Sequence, residues 1–218
     1  MLLNALQNHL EDIYEIHSQH RVHDFVIHDA SLAARLDTSV NARALPEKLL
    51  IRQDGDDIEV ALYLDEPLVK RLEQCDPVFE LSDRNIHDFW VALEGISHFV
   101  YLVYNAGYER AVSLFELELQ AEVDKYILTV YLLGQQGSDT IPTSLRYHLY
   151  GNAEFDPRLH GHEFQRYYQA NELAGKFAAF IERCINNRMS NSNLANLLRR
   201  FYRLSHHQKI RNIMRLAG

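Results

Sequence analysis

The sequence predicts a mainly α-helical protein, a bundle built on a long central αα-hairpin, with a small N-terminal α/β part that contains a β-hairpin. Three observations predict it. From residue 83 to 133, apolar side chains recur at helical spacing with one break at Gly107. Residues 47–53 and 58–64 instead flank Asp54-Gly55-Asp56-Asp57, and Ile58, Val60, Leu62 and Leu64 recur at every second position. The 218 residues are 47% hydrophobic and 24% charged with 9 Gly and 5 Pro, a globular composition long enough for one good-sized core or two small ones.

Taken in order, Leu3, Leu6, Leu10, Ile13 and His17 place one face of an amphipathic helix over residues 2–17. Val22 to Ile27 is a short apolar run suited to a strand, and Asp29 can cap a helix ending near Leu36. Residues 47–53 and 58–64 pair as a hairpin, with Gly55 supplying positive φ in the turn. The acidic turn looks faintly like a calcium loop but lacks the later ligands of one. Asp65 and Pro67 open a helix that stops near Cys75-Asp76-Pro77. That stop separates a small α+β region, residues 1–76, from a helical region, residues 77–218. In the latter, helices are expected over 83–106 and 109–133, each followed by glycine, Gly107 and Gly134, and joined by two residues. Shorter helices are expected near 143–150, 163–186, 193–204 and 206–216.

Two distant cysteines, Cys75 and Cys184, rule out a disulfide framework or a Cys-based zinc site. No stretch reaches 18 uncharged apolar residues, so no transmembrane segment is expected. The N-terminus lacks the basic start of a secretory signal, which points to a cytoplasmic protein. No phosphate-binding glycine loop, GxGxxG or GxSxG occurs. Net charge is −8 but uneven: eight Lys/Arg and no Asp/Glu follow from Arg183 onward, leaving a net of −16 on residues 1–182.

The polar residues of the hairpin carry the chemical expectations. On the first helix His87, Glu94, His98 and Asn105 fall on one stripe of an otherwise apolar cylinder, with Glu94 and His98 one turn apart. On the second, Glu116 falls within an apolar face, while Glu118, Glu122 and Lys125 form a separate strip. Helix bundles build metal centres from such carboxylates and imidazoles. A divalent metal held by Glu94 and His98 with Glu116 or Glu122 is therefore one expectation, with His87 as base or supporting group. The Glu-xx-His spacing of di-iron proteins and HExxH are both absent. His160 and His162, alternate residues in a loop, form a weaker candidate pair. Arg199, Arg200, Arg203, Arg211 and Arg215 make a basic surface suited to the acidic body of this chain, an acidic protein partner or nucleic acid.

These observations lead first to a non-catalytic interaction or regulatory module acting as a homo-oligomer, because both long helices look apolar on more than one face. The alternatives are a metal-dependent enzyme using the Glu/His site, and nucleic-acid binding through the C-terminal helices.

Overall fold

The computed structural model describes residues 2–38, 43–55, 57–153 and 155–217. Helix α1 (Leu2–Tyr14) buries Leu3, Leu6 and Leu10 and ends one turn earlier than its pattern suggests, where Glu15 turns left-handed at φ 51°. The Val22–Ile27 run divides into a 3-10 turn, Val22–Phe25, and a two-residue strand β1 (Val26–Ile27). Asp29 caps α2 (Ala30–Leu36) by accepting from Ser31 and Leu32 N–H.

Strands β2 (Glu47–Asp54) and β3 (Asp57–Leu64) form the antiparallel hairpin, with Gly55 at φ 61° in its turn. Asp56, which belongs to the acidic turn, lies outside the described residues. β1 pairs parallel with β3, giving a sheet of order β1-β3-β2. After α3 (Glu66–Gln74), the turn at Cys75-Asp76-Pro77 leads toward α4 (Ile86–Ala106). One hydrophobic cluster runs across that turn, from Leu3 and Leu62 to Phe89 and Ile213.

The long helices are α4 and α5 (Leu114–Gln135). Their joint spans residues 107–113 rather than two residues. Ser113 and Glu116 close a reciprocal capping box, so α5 starts where its free N–H groups find acceptors. The expected helix near 143–150 is a π-helical turn, Tyr147–Gly151. Helices α6 (Gly161–Asn186), α7 (Asn191–Tyr202) and α8 (His206–Ala217) complete the chain, which is mainly α with a small N-terminal α/β part.

Much of both faces of the hairpin is covered within this chain. Phe89, Ile96 and Phe99 of α4 are fully buried where α1, α3 and the sheet pack, and Leu119, Ala121, Leu128 and Leu132 of α5 are buried against α4 and α6. Of the second apolar faces invoked for a homo-oligomer, Phe99, Leu117, Ala121, Leu128 and Leu132 are buried, whereas Val91 and Leu102 are half-buried. Among the described residues no helix is long and apolar enough to cross a membrane.

Candidate functional site

Helical spacing sets the frame of the site. Glu94 and His98 lie one turn apart on α4, and Glu118 and Glu122 lie one turn apart on α5. Lys125 stands three residues beyond Glu122. Packing α4 against α5 brings these strips together. A fourth carboxylate arrives from the sheet. A Cβ on Gly95 would stand 2.7 Å from Glu47 Cγ, Glu47 Oε1 and Leu62 Cδ1. Only glycine lets β2 lay the Glu47 side chain directly on α4 at this point.

His98 then sits between two carboxylates. Its Nδ1 is 3.8 Å from Glu47 Oε1 and its Nε2 is 3.5 Å from Glu118 Oε2. The imidazole is 8% exposed, yet Nε2 makes no hydrogen bond, and neither do the buried Glu47 Oε1 and Arg166 Nε. Arg166 of α6 lies 3.4 Å from Glu118 Oε1 and stacks over the Tyr167 ring. Lys125 Nζ donates to Glu94 Oε2 at 2.5 Å and to Glu122 Oε1 at 2.8 Å. Tyr150 donates to the Glu122 carbonyl at 2.8 Å, tying the π-turn to α5.

Burial and neighbouring charge compete over each proton. Burial works against the His98 imidazolium, but Glu118 and Glu47 beside its nitrogens outweigh it and hold the pKa well above its ordinary value. Burial likewise disfavours the Lys125 ammonium, and Glu122 and Glu94 override it and raise its pKa. Desolvation pushes the Glu47 and Glu122 carboxyls up. At Glu94 the Lys125 and His98 charges outweigh burial, so its pKa is lowered.

Four members of the cluster form the floor of a cavity of about 530 Å³. Glu94, Glu118, Glu122 and Lys125 line it together with Trp90 and Tyr167, and Arg43 and Phe155 contribute from the loops around it. A buried Arg43 Nη1 there makes no hydrogen bond. Ligand atoms of Glu94, His98 and Glu118 all lie within 4.8 Å of one another, the one such group among the described residues able to share a metal ion. Ligands on a tetrahedral ion with bonds of about 2.0–2.2 Å stand roughly 3.4 Å apart. The His98–Glu118 separation of 3.5 Å matches that.

Comparison with known protein families, characterised proteins and solved structures returned no match. The site is therefore read from its own geometry.

The structure unites Glu94 and His98 with Glu118, and places Glu122 beside them on Lys125. Glu116 goes elsewhere. As the third residue of α5 it accepts from Ser113 N and Oγ, both at 3.1 Å, and pairs with Arg110. Asn105 joins that same cluster, accepting from Arg110 Nη1 at 2.9 Å. His87 is exposed and lines the cavity. His160 and His162 are exposed at the start of α6, outside the metal-competent group. Arg199 pairs with Glu15 at 3.0 Å, and Arg203 donates to the Tyr14 and Glu15 carbonyls that end α1. Arg200, Arg211 and Arg215 are exposed on α7 and α8. Sequence reasoning missed Glu47, Arg166 and Tyr167, which lie far from the hairpin in the chain. Gly95, a glycine inside an otherwise apolar helix, was the visible sign that another backbone or side chain comes close.

Proposed function

We propose that this chain is a divalent-metal-dependent enzyme, with Glu94, His98 and Glu118 as protein ligands and the adjoining cavity as the substrate site. One observation carries the reading: three potential ligands from two helices converge, two of them, Glu94 and Glu118, on the wall of an open cavity, around a buried imidazole nitrogen that has no hydrogen-bond partner. Glu47 beside Nδ1 supports it, since a carboxylate on the far nitrogen orients a metal-binding histidine and raises its basicity. Charge supports it too. With His98 neutral as a ligand must be, Glu47, Glu94, Glu118 and Glu122 carry four negative charges against Lys125 and Arg166. The residual −2 is what a divalent ion neutralises.

Mixed carboxylate and imidazole donors suit Zn²⁺, Mn²⁺ or Fe²⁺. Three protein ligands leave a coordination position for water or substrate, where such an ion polarises an oxygen-bearing group or activates water. Trp90, Phe155 and Leu149 supply apolar wall for a small organic substrate. Burial of Phe99, Leu117, Ala121, Leu128 and Leu132 within the chain leaves less apolar surface for an interaction module than helical periodicity suggests.

The test is elemental analysis of untagged protein after equilibration with Zn²⁺, Mn²⁺ and Fe²⁺ in turn. The expected result is about one ion per chain, lost in Glu94→Ala and Glu118→Gln variants whose circular dichroism is unchanged. Less than about 0.1 ion per chain with every metal would refute the proposal.

A further inference from the structure

The metal ligands leave one strong interaction of the cavity floor unexplained. Lys125 is 9% exposed, its aliphatic stem is held inside the α4–α5 interface, and its ammonium lies between Glu94 and Glu122. Glu94 is thus shared. It belongs to the group with His98 and Glu118, and its Oε2 accepts from Lys125. A carboxylate with one cation on each side is the arrangement of a two-metal centre, in which bridging carboxylates hold two ions roughly 3.5–4 Å apart.

We infer that Lys125 occupies the place of a second metal ion, so that this floor is a mixed centre of one divalent ion and one fixed ammonium joined by Glu94. The inference rests on the metal reading above. Formal charge favours the pairing, with the carboxylates ionised and His98 neutral as a ligand. Glu47, Glu94, Glu118 and Glu122 bring four negative charges. One divalent ion and Arg166 bring three positive ones, and Lys125 brings the fourth. A second divalent ion alongside Lys125 would overcharge the floor and displace an ammonium that two buried carboxylates hold. Without Lys125, Glu94 and Glu122 become free oxygen donors at the vacated position, and a second ion with a bridging hydroxide restores neutrality. Chemically, the ammonium differs from the ion it replaces. It has three protons, uses two on Glu94 and Glu122, and lines the cavity, so it can donate the third to an oxygen of a metal-bound ligand.

The test is stoichiometry and spectroscopy on wild type, Lys125→Met and Lys125→Met/Glu122→Gln, titrated with Mn²⁺. Wild type is expected to saturate at about one ion per chain with an isolated-ion electron paramagnetic resonance signal. Lys125→Met is expected to take about two, with the spectrum of an exchange-coupled pair, and the double variant to return to about one. If Lys125→Met is unfolded without metal, two equivalents of Mn²⁺ should restore its helical signal. A folded Lys125→Met that stops at one ion, or an unfolded one that metal does not rescue, overturns the inference and leaves the metal reading standing. A wild type that takes no ion, and a Lys125→Met that takes none, overturns both.

Discussion

Replacing Gly95 by alanine sets two effects of opposite sign against each other. In the interior of a helix alanine is favoured over glycine by about 1 kcal/mol, so propensity alone predicts a more stable protein. The structure predicts the reverse. The new methyl would stand 2.7 Å from Glu47 Cγ and Oε1 and from Leu62 Cδ1, well inside contact distance. Overpacking of this kind costs about 1–3 kcal/mol. Glu47 Cγ lies in the middle of a side chain whose backbone is held in the β2–β3 ladder, so it cannot simply swing aside. The net expectation is a loss of about 1 kcal/mol, or roughly 2–4 °C in Tm for a chain of this length. Glu47 is also forced off His98, and loss of such an orienting carboxylate weakens metal binding about 10–100-fold. In the double variant Glu47→Ala/Gly95→Ala the main obstacle is gone. Adding alanine at 95 to a Glu47→Ala background should then stabilise, because only the mobile end of Leu62 must yield. Thermal unfolding of the four proteins, with metal titrations of wild type and Gly95→Ala, provides the measurement. A Gly95→Ala single variant more stable than wild type, with unaltered metal affinity, would refute the proposed role of Gly95 in admitting Glu47.

Two further predictions follow from charges buried away from the cavity. Lys209 of α8 is fully buried among the Tyr101, Phe201 and Tyr202 rings and bonds Gln120 Oε1; burial, the dominant influence, lowers its pKa to about 7. The unfolded chain holds that proton up to the ordinary 10.5, so the cost of burying the charge is complete below pH 7 and vanishes as pH rises toward 10.5. Wild type should therefore gain stability relative to Lys209→Met across that window, by at most on the order of 5 kcal/mol; parallel denaturation curves at pH 7 and 10 would contradict this. Arg110 spans the α4–α5 joint, bonding Asn105 Oδ1, Glu116 and the Leu204 carbonyl, and Glu116 is 4% exposed. Arg110→Ala should cost about 1.5–3 kcal/mol by leaving Glu116 with only its Ser113 hydrogen bonds, and Arg110→Lys should restore only a fraction because an ammonium lacks the planar fork. Urea unfolding checks both, and a loss under about 1 kcal/mol for Arg110→Ala would show that Glu116 finds another partner.

Asp124, on the opposite side of α5 from the cavity, illustrates what helical periodicity leaves open. It accepts from Tyr14 and Ser97, each at 2.5 Å, and from Gln120 at 2.7 Å, and burial raises its pKa to about 6. Its partners come from α1, α4 and α5. Glu116 makes the complementary point: Ser113-x-x-Glu116 was a readable capping box, but with the helix start placed at 109 it looked like a buried ligand. A wheel assigns each residue a face; it gives neither the helix's first residue nor what lies against that face.

Local chemistry by itself determined a good deal: the amphipathic faces, the hairpin about Gly55, the Asp29 cap, and the one-turn spacing that lets Glu94 and His98 share a task. These depend on backbone geometry within a few residues, which repeats identically in any fold. Tertiary structure alone decided that Glu118 and not Glu116 completes the group, that Glu47 crosses from the sheet over Gly95, and that Lys125 bridges Glu94 and Glu122. Apart from the Lys125–Glu122 pair on one helix, each of these contacts joins different elements, so it is set by how elements stack and by which charges burial forces together.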